Sequence, residues 1–297
     1  MQAKHLDGKT ASSQIKTELA RVVEELKCKG INPGLAMVMV GANPASALYV
    51  NMKVKACQEL GICSRVVKLP ESASRQELIE TVAGLNRDEA IDGVLIQLPL
   101  PAHLQDEAIL ESISPEKDVD CFHPYNQGRL LTGREGLKPC TPLGCVALLK
   151  RNGIVLEGKK SVIVGRSNIV GKPLALMLMQ ENATVTVCHS KTRNLKEEIK
   201  QAELLVMAIG QPEAVGGDDL KRGCIVVDVG QHRLADGRVV GDVDYKSALS
   251  RASWITPVPG GTGPMTVAVL MYNTLWAAAR RRGLPLAYGL DSSKPRP

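Results

Sequence analysis

Read for its apolar positions, the chain alternates between short buried runs and longer segments of mixed polarity. Thr10 to Lys29 predicts a helix closed by Gly30. Gly34 to Val40 is an unbroken apolar run ending at Gly41, the pattern of a parallel strand covered on both faces. Asn43-Pro44 restarts the chain as a helix that runs to Leu60 and stops at Gly61. Arg65 to Leu69 predicts a strand and Ser74 to Asn86 a helix. Asp92 to Gln97 predicts a third strand, halted by Leu98-Pro99-Leu100-Pro101. Ser114 to Asp120 reads as a loop, Cys140-Thr141-Pro142 as a linker, and Leu143 to Arg151 as a helix.

The second half repeats the alternation. Lys160 to Val164 reads as a buried strand. Gly165 ends it, Gly171 allows close packing, and Leu174 to Met179 reads as a helix with Pro173 in its first turn. Thr184 to His189, Leu204 to Ile209, Cys224 to Val229 and Ser253 to Ile255 supply further strands. Thr256 to Pro264 is too rich in Pro and Gly for regular structure, and Met265 to Arg282 is helical again. Strands alternating with helices give an α/β class with parallel sheets, and 297 residues suggest two domains.

Composition narrows the class. Apolar content of 44% is that of a globular protein. Aromatics are only 3%, so the core rests on Val, Ile, Leu, Ala and Met. No run is long and apolar enough for a membrane span, and Met1 to Gly8 lacks the apolar region of a signal peptide. The eight cysteines form no C-x-x-C pair and lie mostly in apolar segments, which fits reduced thiols in a cytoplasmic protein. His103 and His123 show no ligand spacing, so no metal is expected. Much of the net charge of +6 comes from Arg280, Arg281, Arg282, Lys294 and Arg296, a local excess that argues against a nucleic-acid face. The Pro- and Gly-containing stretch 284–297 is expected to be a disordered tail.

The candidate chemistry starts at Val164 to Pro173. A strand, a glycine turn and a helix present free N–H groups and a helix dipole to an anion, although the spacing departs from G-x-G-x-x-G and an ordinary βα loop gives the same pattern. The strand after it ends in His189-Ser190-Lys191-Thr192, where an NAD site has an acid for the ribose. Arg166, Ser190 and Lys191 at that end suit a 2′-phosphate, which points to NADP; solvated loop residues are the alternative. Tyr49 and Lys53 share a helix face, though a lysine on a helix flank is ordinarily solvated. Gln97 stands at the carboxyl end of a strand, where ligands of parallel sheets sit.

Several segments together resemble one family, the bifunctional methylenetetrahydrofolate dehydrogenase/methenyltetrahydrofolate cyclohydrolases. They are Tyr49 to Lys53, Gln97 to Pro101, Lys117 to Asp120, Cys140 to Pro142, Val164 to Gly171 and Pro257 to Thr266, within a resemblance running from about Leu6 to Arg280. It implies a catalytic α/β domain (residues 1–140 with 265–283), a Rossmann-like NADP domain (141–264) and a cleft between them. It implies oxidation of 5,10-methylenetetrahydrofolate by NADP, then hydrolysis of the methenyl product to 10-formyltetrahydrofolate. Lys53 is then the catalytic lysine and Gln97 its partner; Tyr49 stacks along the folate and Asp120 holds the pterin. Ser46, Pro259, Gly260 and Gly263 border the substrate, while Thr141, Gly165, Arg166, Ser167, Ser190 and Thr266 line the cofactor. A homodimer is implied as well. Three departures stand out: Cys121 where the family has Gly, Thr262 where Val is usual, and Gln231-His232 where Ile-Asn is common.

Two other readings compete. One is a dehydrogenase without cyclohydrolase activity, against which Lys53 and Gln97 both count. The other is a nucleotide-sensing module without turnover, which has no use for residues of both chemical and ligand type.

Overall fold

The computed structural model describes residues 2–286 and 288–290. The first half contains β1 (Lys4–His5), α1 (Gly8–Cys28), β2 (Gly34–Val40), α2 (Pro44–Leu60), β3 (Cys63–Leu69), α3 (Arg75–Arg87), β4 (Gly93–Ile96), α4 (Glu107–Glu111) and α5 (Pro124–Leu131). Then come α6 (Cys140–Arg151), β5 (Lys160–Val164), α7 (Gly171–Gln180), β6 (Thr184–Cys188), α8 (Leu195–Lys200) and β7 (Leu204–Met207). The chain closes with β8 (Ile225–Asp228), β9 (His232–Arg233), β10 (Val239–Val240), α9 (Tyr245–Ala248), β11 (Trp254–Ile255) and α10 (Thr262–Arg280).

Two compact units result. One comprises Gln14–Cys140 and the residues from Val267 onward. Its sheet has the order β3-β2-β4, all parallel, and β2 is buried along its whole length as the continuous apolar run requires. Helix α3 packs Leu78, Val82 and Leu85 into a core with Val38, Val94 and Ile96.

The other unit comprises the residues up to Ser13 and Thr141–Thr266. Its parallel sheet has the order β1-β11-β8-β7-β5-β6. Strand β5 pairs with β6 on one side and β7 on the other, so the connections run in opposite directions from β5. That makes the gap between the β5 and β7 carboxyl ends a topological switch point. The strands meet in a core of Val162, Val164, Leu205, Met207, Val226 and Ile255.

Three expectations change. The first 13 residues belong with the six-stranded unit, because β1 pairs with β11 and Leu6 N–H donates to Ile255 O. Cys140-Thr141-Pro142 is the first turn of α6 rather than a linker; a proline there sacrifices no intrahelical bond. Just beyond α10, Arg281 and Arg282 are tied to the body of their unit. Both pair with the fully buried Asp92, at 2.7 and 2.6 Å. Within the stretch expected to be a disordered tail, Leu290 is buried and Tyr288 meets Tyr272 edge-on at 6.1 Å. Residue 287 and residues 291–297 lie outside the described residues. No described helix is long and apolar enough to cross a membrane.

Candidate active site

Helix α2 carries the first group. Asn43 caps it by accepting the Ser46 N–H, Pro44 opens it, and Gly61 closes it in the left-handed conformation. Ser46, Val50, Lys53, Cys57 and Leu60 form its buried stripe. Lys53 is thus not the solvated lysine that its helix-flank position suggests; it is 8% exposed. Its Nζ donates to Gln97 Oε1 at 3.0 Å, and Gln97 Nε2 donates to Leu98 O at 2.6 Å. The second bond fixes which end of the amide faces the lysine. Lys53 therefore sits beside a neutral oxygen, not a carboxylate. Ser46 Oγ is buried and has no hydrogen-bond partner among the described residues. Tyr49 is half-buried one turn before Lys53, and burial raises its phenol above the usual range.

The loop carrying Asp120 is held from three sides. Lys117 is fully buried, and its ammonium donates to the carbonyls of Leu85, Asn86 and Asp88 where α3 ends, at 3.2, 2.7 and 2.8 Å. Burial and the Arg281 charge lower its pKa. Asp118 accepts from Phe122 N, His123 N and Asn126 Nδ2; burial nonetheless pushes its carboxyl up. Asn273 of α10 donates to Val119 O and Lys138 O. Asp120 itself stays partly exposed. The buried Cys140 thiol marks how near the loop is to the lysine. Burial raises its pKa foremost, Asp120 raises it further, and Lys53 lowers it. Cys121 has φ 60°, which explains why a glycine suits this position.

The second group lies in the six-stranded unit. A Cβ on Gly165 would come within 2.2 Å of Ala208 O, and one on Gly171 within 2.1 Å of Gly165 O. Both glycines are therefore required for the turn to close against the end of β7. Ser167 Oγ accepts the Val170 N–H at 3.1 Å. In the β5–β6 register Val164 faces Cys188, so Arg166 and Ser190 extend from neighbouring strand ends. No acid stands in His189–Thr192, where His189 N–H donates to Thr192 Oγ1. The exposed Arg166, Ser190 and Lys191 beside a glycine turn fit a dinucleotide with a phosphorylated ribose. Thr141 and Thr266 are joined by a 2.9 Å hydrogen bond. Pro259, Gly260 and Gly263 belong to this unit. Gly260 has φ 114°, and its carbonyl accepts from Lys9 N. Thr262 is buried against Asp228 O.

Sequence reasoning overlooked Asn273, Asp228 and Asp242. Asn273 had a signal, a lone amide within the apolar run from Val267 to Leu275. The two aspartates had a weaker one, glycines at Gly230 and Gly241 that leave backbone N–H groups free to reach a carboxylate. His103 and His123 act locally: His103 Nε2 contacts Ala73 O, and His123 Nδ1 accepts from Tyr125 N at the start of α5.

Both groups lie within segments that match known domain families. Residues 6–120 match the catalytic-domain model of tetrahydrofolate dehydrogenase/cyclohydrolase, and residues 139–282 match its NAD(P)-binding-domain model. The bifunctional protein FolD of Geotalea daltonii is 52% identical over 279 residues, covering 94% of this chain and 100% of that protein. The FolD of Acetivibrio thermocellus is 53% identical over 278 residues, covering 94% and 98%. The crystal structure of the bifunctional FolD dehydrogenase/cyclohydrolase from Campylobacter jejuni superposes with a TM-score of 0.92 at 50% identity, covering 94% and 99%. The Trypanosoma brucei FolD structure, complexed with NADP cofactor and inhibitor, gives 0.91 at 39% identity, covering 95% and 99%. With both domain models matched in order and relatives aligned along nearly their whole length, the chain belongs to the tetrahydrofolate dehydrogenase/cyclohydrolase family.

Proposed function

We propose that this protein oxidises 5,10-methylenetetrahydrofolate to 5,10-methenyltetrahydrofolate with NADP and hydrolyses the product to 10-formyltetrahydrofolate. The observation that carries this reading is the buried Lys53 bonded to the neutral amide of Gln97 at 3.0 Å. An amine must be free of its proton to activate water, and a carboxylate partner would hold the ammonium form. An amide orients the amine without that penalty. NADP, held through Arg166, Ser167 and Ser190, would supply the hydride acceptor. Hydride transfer demands placement more than acid–base help from the protein. The methenyl product is cationic and is attacked by water, with Lys53 taking the proton.

In this reading Tyr49 stacks along the folate and Asp120 accepts hydrogen bonds from the pterin. The orphaned hydroxyl of Ser46 finds its partner in substrate. Pro259, Gly260 and Gly263 border the ligand with backbone. Arg166, Ser167 and Ser190 take the phosphorylated ribose, with Gly165, Thr141 and Thr266 lining the dinucleotide. The unit holding Lys53 is the folate domain, and the six-stranded unit is the NADP domain. The protein is a cytoplasmic homodimer that pairs through the NADP unit. Edge strand β6, with β5 as its sheet neighbour and Val187 exposed, together with the exposed Met179 of α7, is the surface we assign to that contact. Sedimentation showing a monomer at micromolar protein contradicts the dimer. The activity is tested by supplying methylenetetrahydrofolate and NADP and following NADPH and methenyl absorbance separately. Failure to form NADPH refutes the dehydrogenase, and failure to consume supplied methenyl substrate refutes the cyclohydrolase.

A further inference from the structure

The hairpin after β8 holds a carboxylate that reaches back to the switch point. Strands β9 and β10 pair Val240 with His232, and Asp242 follows two residues later. Asp242 is fully buried. Its Oδ2 accepts the N–H groups of Ile209 and Gly210 at 2.7 and 3.1 Å. Its Oδ1 accepts that of Gln211 at 3.0 Å. These three residues form the loop leaving β7, one of the two walls of the switch-point crevice. The other wall, at Gly165, abuts Ala208 so closely that a methyl group cannot be inserted. His232 Nε2 meets Asp242 Oδ1 at 2.8 Å and is the fourth partner of the carboxylate. A Cβ on Gly230 would fall 2.3 Å from the same oxygen, so the glycine lets the hairpin close over it.

We infer that His232 and Asp242 are positioning residues for the dinucleotide: they hold the Ile209–Gln211 loop in the shape that receives NADP. This rests on the function proposed above and extends it to a pair of side chains that need not touch the ligand. Besides these bonds, Ile209 packs against the core of the unit, and Glu213 N–H, just past the loop, donates to Gly241 O. Gly210 sits at φ 71°, and Ile209 and Gly210 follow the last bonded residue of β7 without regular structure. Three N–H groups gathered by one carboxylate therefore set the loop, and the imidazole sets the carboxylate. The departure at His232 thus alters the brace behind the cofactor wall rather than removing a ligand contact.

The test uses the full-length protein and NADP itself. Titration calorimetry is compared for wild type, H232A and H232Q, with steady-state KM for each substrate. Glutamine places an N–H donor about as far from the backbone as imidazole Nε2. H232A is expected to raise the Kd and KM for NADP about tenfold. Its KM for methylenetetrahydrofolate should stay within about twofold of wild type, and H232Q should recover most of the NADP affinity. Amide exchange gives a second reading: Ile209, Gly210 and Gln211 should lose protection in H232A while β5 and β7 keep theirs. If H232A fails to fold, H232S, whose hydroxyl ends well short of the imidazole Nε2 position, carries the same expectations. NADP affinity unchanged in a folded H232A or H232S overturns the inference and leaves the function standing. A wild type that binds no NADP overturns the function and this inference with it.

Discussion

Replacing Gln97 by Glu changes one atom type at the centre of the proposed site. Lys53 Nζ lies 3.0 Å from Gln97 Oε1, so the substitution puts a carboxylate oxygen against the amine. At an effective dielectric of 20, unit charges that close attract by about 5 kcal/mol, all of it favouring the ammonium. Gln97 is only partly buried, and water will screen part of that, leaving roughly 3 kcal/mol. The second contact adds to the damage. Gln97 Nε2 donates to Leu98 O at 2.6 Å, and Glu has no donor to offer there unless it takes a proton. If the free amine is the base, holding its proton by roughly 3 kcal/mol lowers cyclohydrolase kcat about a hundredfold. Hydride transfer uses no such base and should fall far less. The assay measures both reactions separately in Q97E and K53M, starting the second from methenyltetrahydrofolate. Lys53→Met should abolish the cyclohydrolase and spare part of the dehydrogenase. Cyclohydrolase within tenfold of wild type in Q97E would refute the neutral-partner argument. Near-normal hydrolysis in K53M would remove the lysine from the mechanism.

Arg166→Ala should weaken NADP binding by about 1–3 kcal/mol and leave NAD nearly untouched, read by titration with each; equal wild-type affinity for both sinks the 2′-phosphate assignment. Cys121→Gly should change stability by less than about 1 kcal/mol, because relief of φ 60° is offset by loss of a buried side chain. A large loss of activity with the fold intact would show that the thiol places Asp120. Asp228 is pushed up to about 6 by burial foremost, then by Asp242, from an ordinary value of 3.8. The folded state therefore binds the extra proton between those values, and this group's contribution to stability falls as pH rises from about 4 to 6. Its size is on the order of 3 kcal/mol. Urea midpoints across that range should show the slope in wild type and lose it in D228N; parallel curves count against the buried acid.

The elements that sequence reading placed well carry their own boundaries. Helix α2 has a cap at Asn43, a proline inside it and a left-handed Gly61 at its end, all local. Strand β2 and the Val162–Val164 part of β5 are continuous apolar runs, which double-sided burial explains. Elements that failed to show depend on distant partners. Strand β1 is Lys4-His5, two polar residues whose strand character comes from β11, some 250 positions away. Helix α5 starts where His123 and Asp118 collect backbone N–H groups, which no periodicity records. Lys53 illustrates the same limit within a correctly placed helix: its burial depends on what covers α2, so its position alone suggested a solvated side chain.

The two sites share one structural device, and it explains why their residues looked ordinary in sequence. In each, a buried carboxylate gathers several N–H groups from a loop next to the candidate ligand position. Asp118 gathers the backbone N–H groups of Phe122 and His123 beside Asp120, with the Asn126 side-chain amide as a third donor, and Asp242 gathers the backbone N–H groups of Ile209, Gly210 and Gln211 at the switch point. A loop of this kind has no ladder to fix it, and its free N–H groups must be satisfied. One carboxylate satisfies two or three of them and fixes their relative placement, at the cost of burying a charge. Asp118 shows that cost as a raised pKa. Residues proposed to touch ligand can then remain small or exposed, as Asp120, Ser190 and Gly263 are. Removing Asp118 should consequently damage folate binding through Asp120 without changing any proposed ligand contact. That separates the residues recognisable by motif from those that hold them in place.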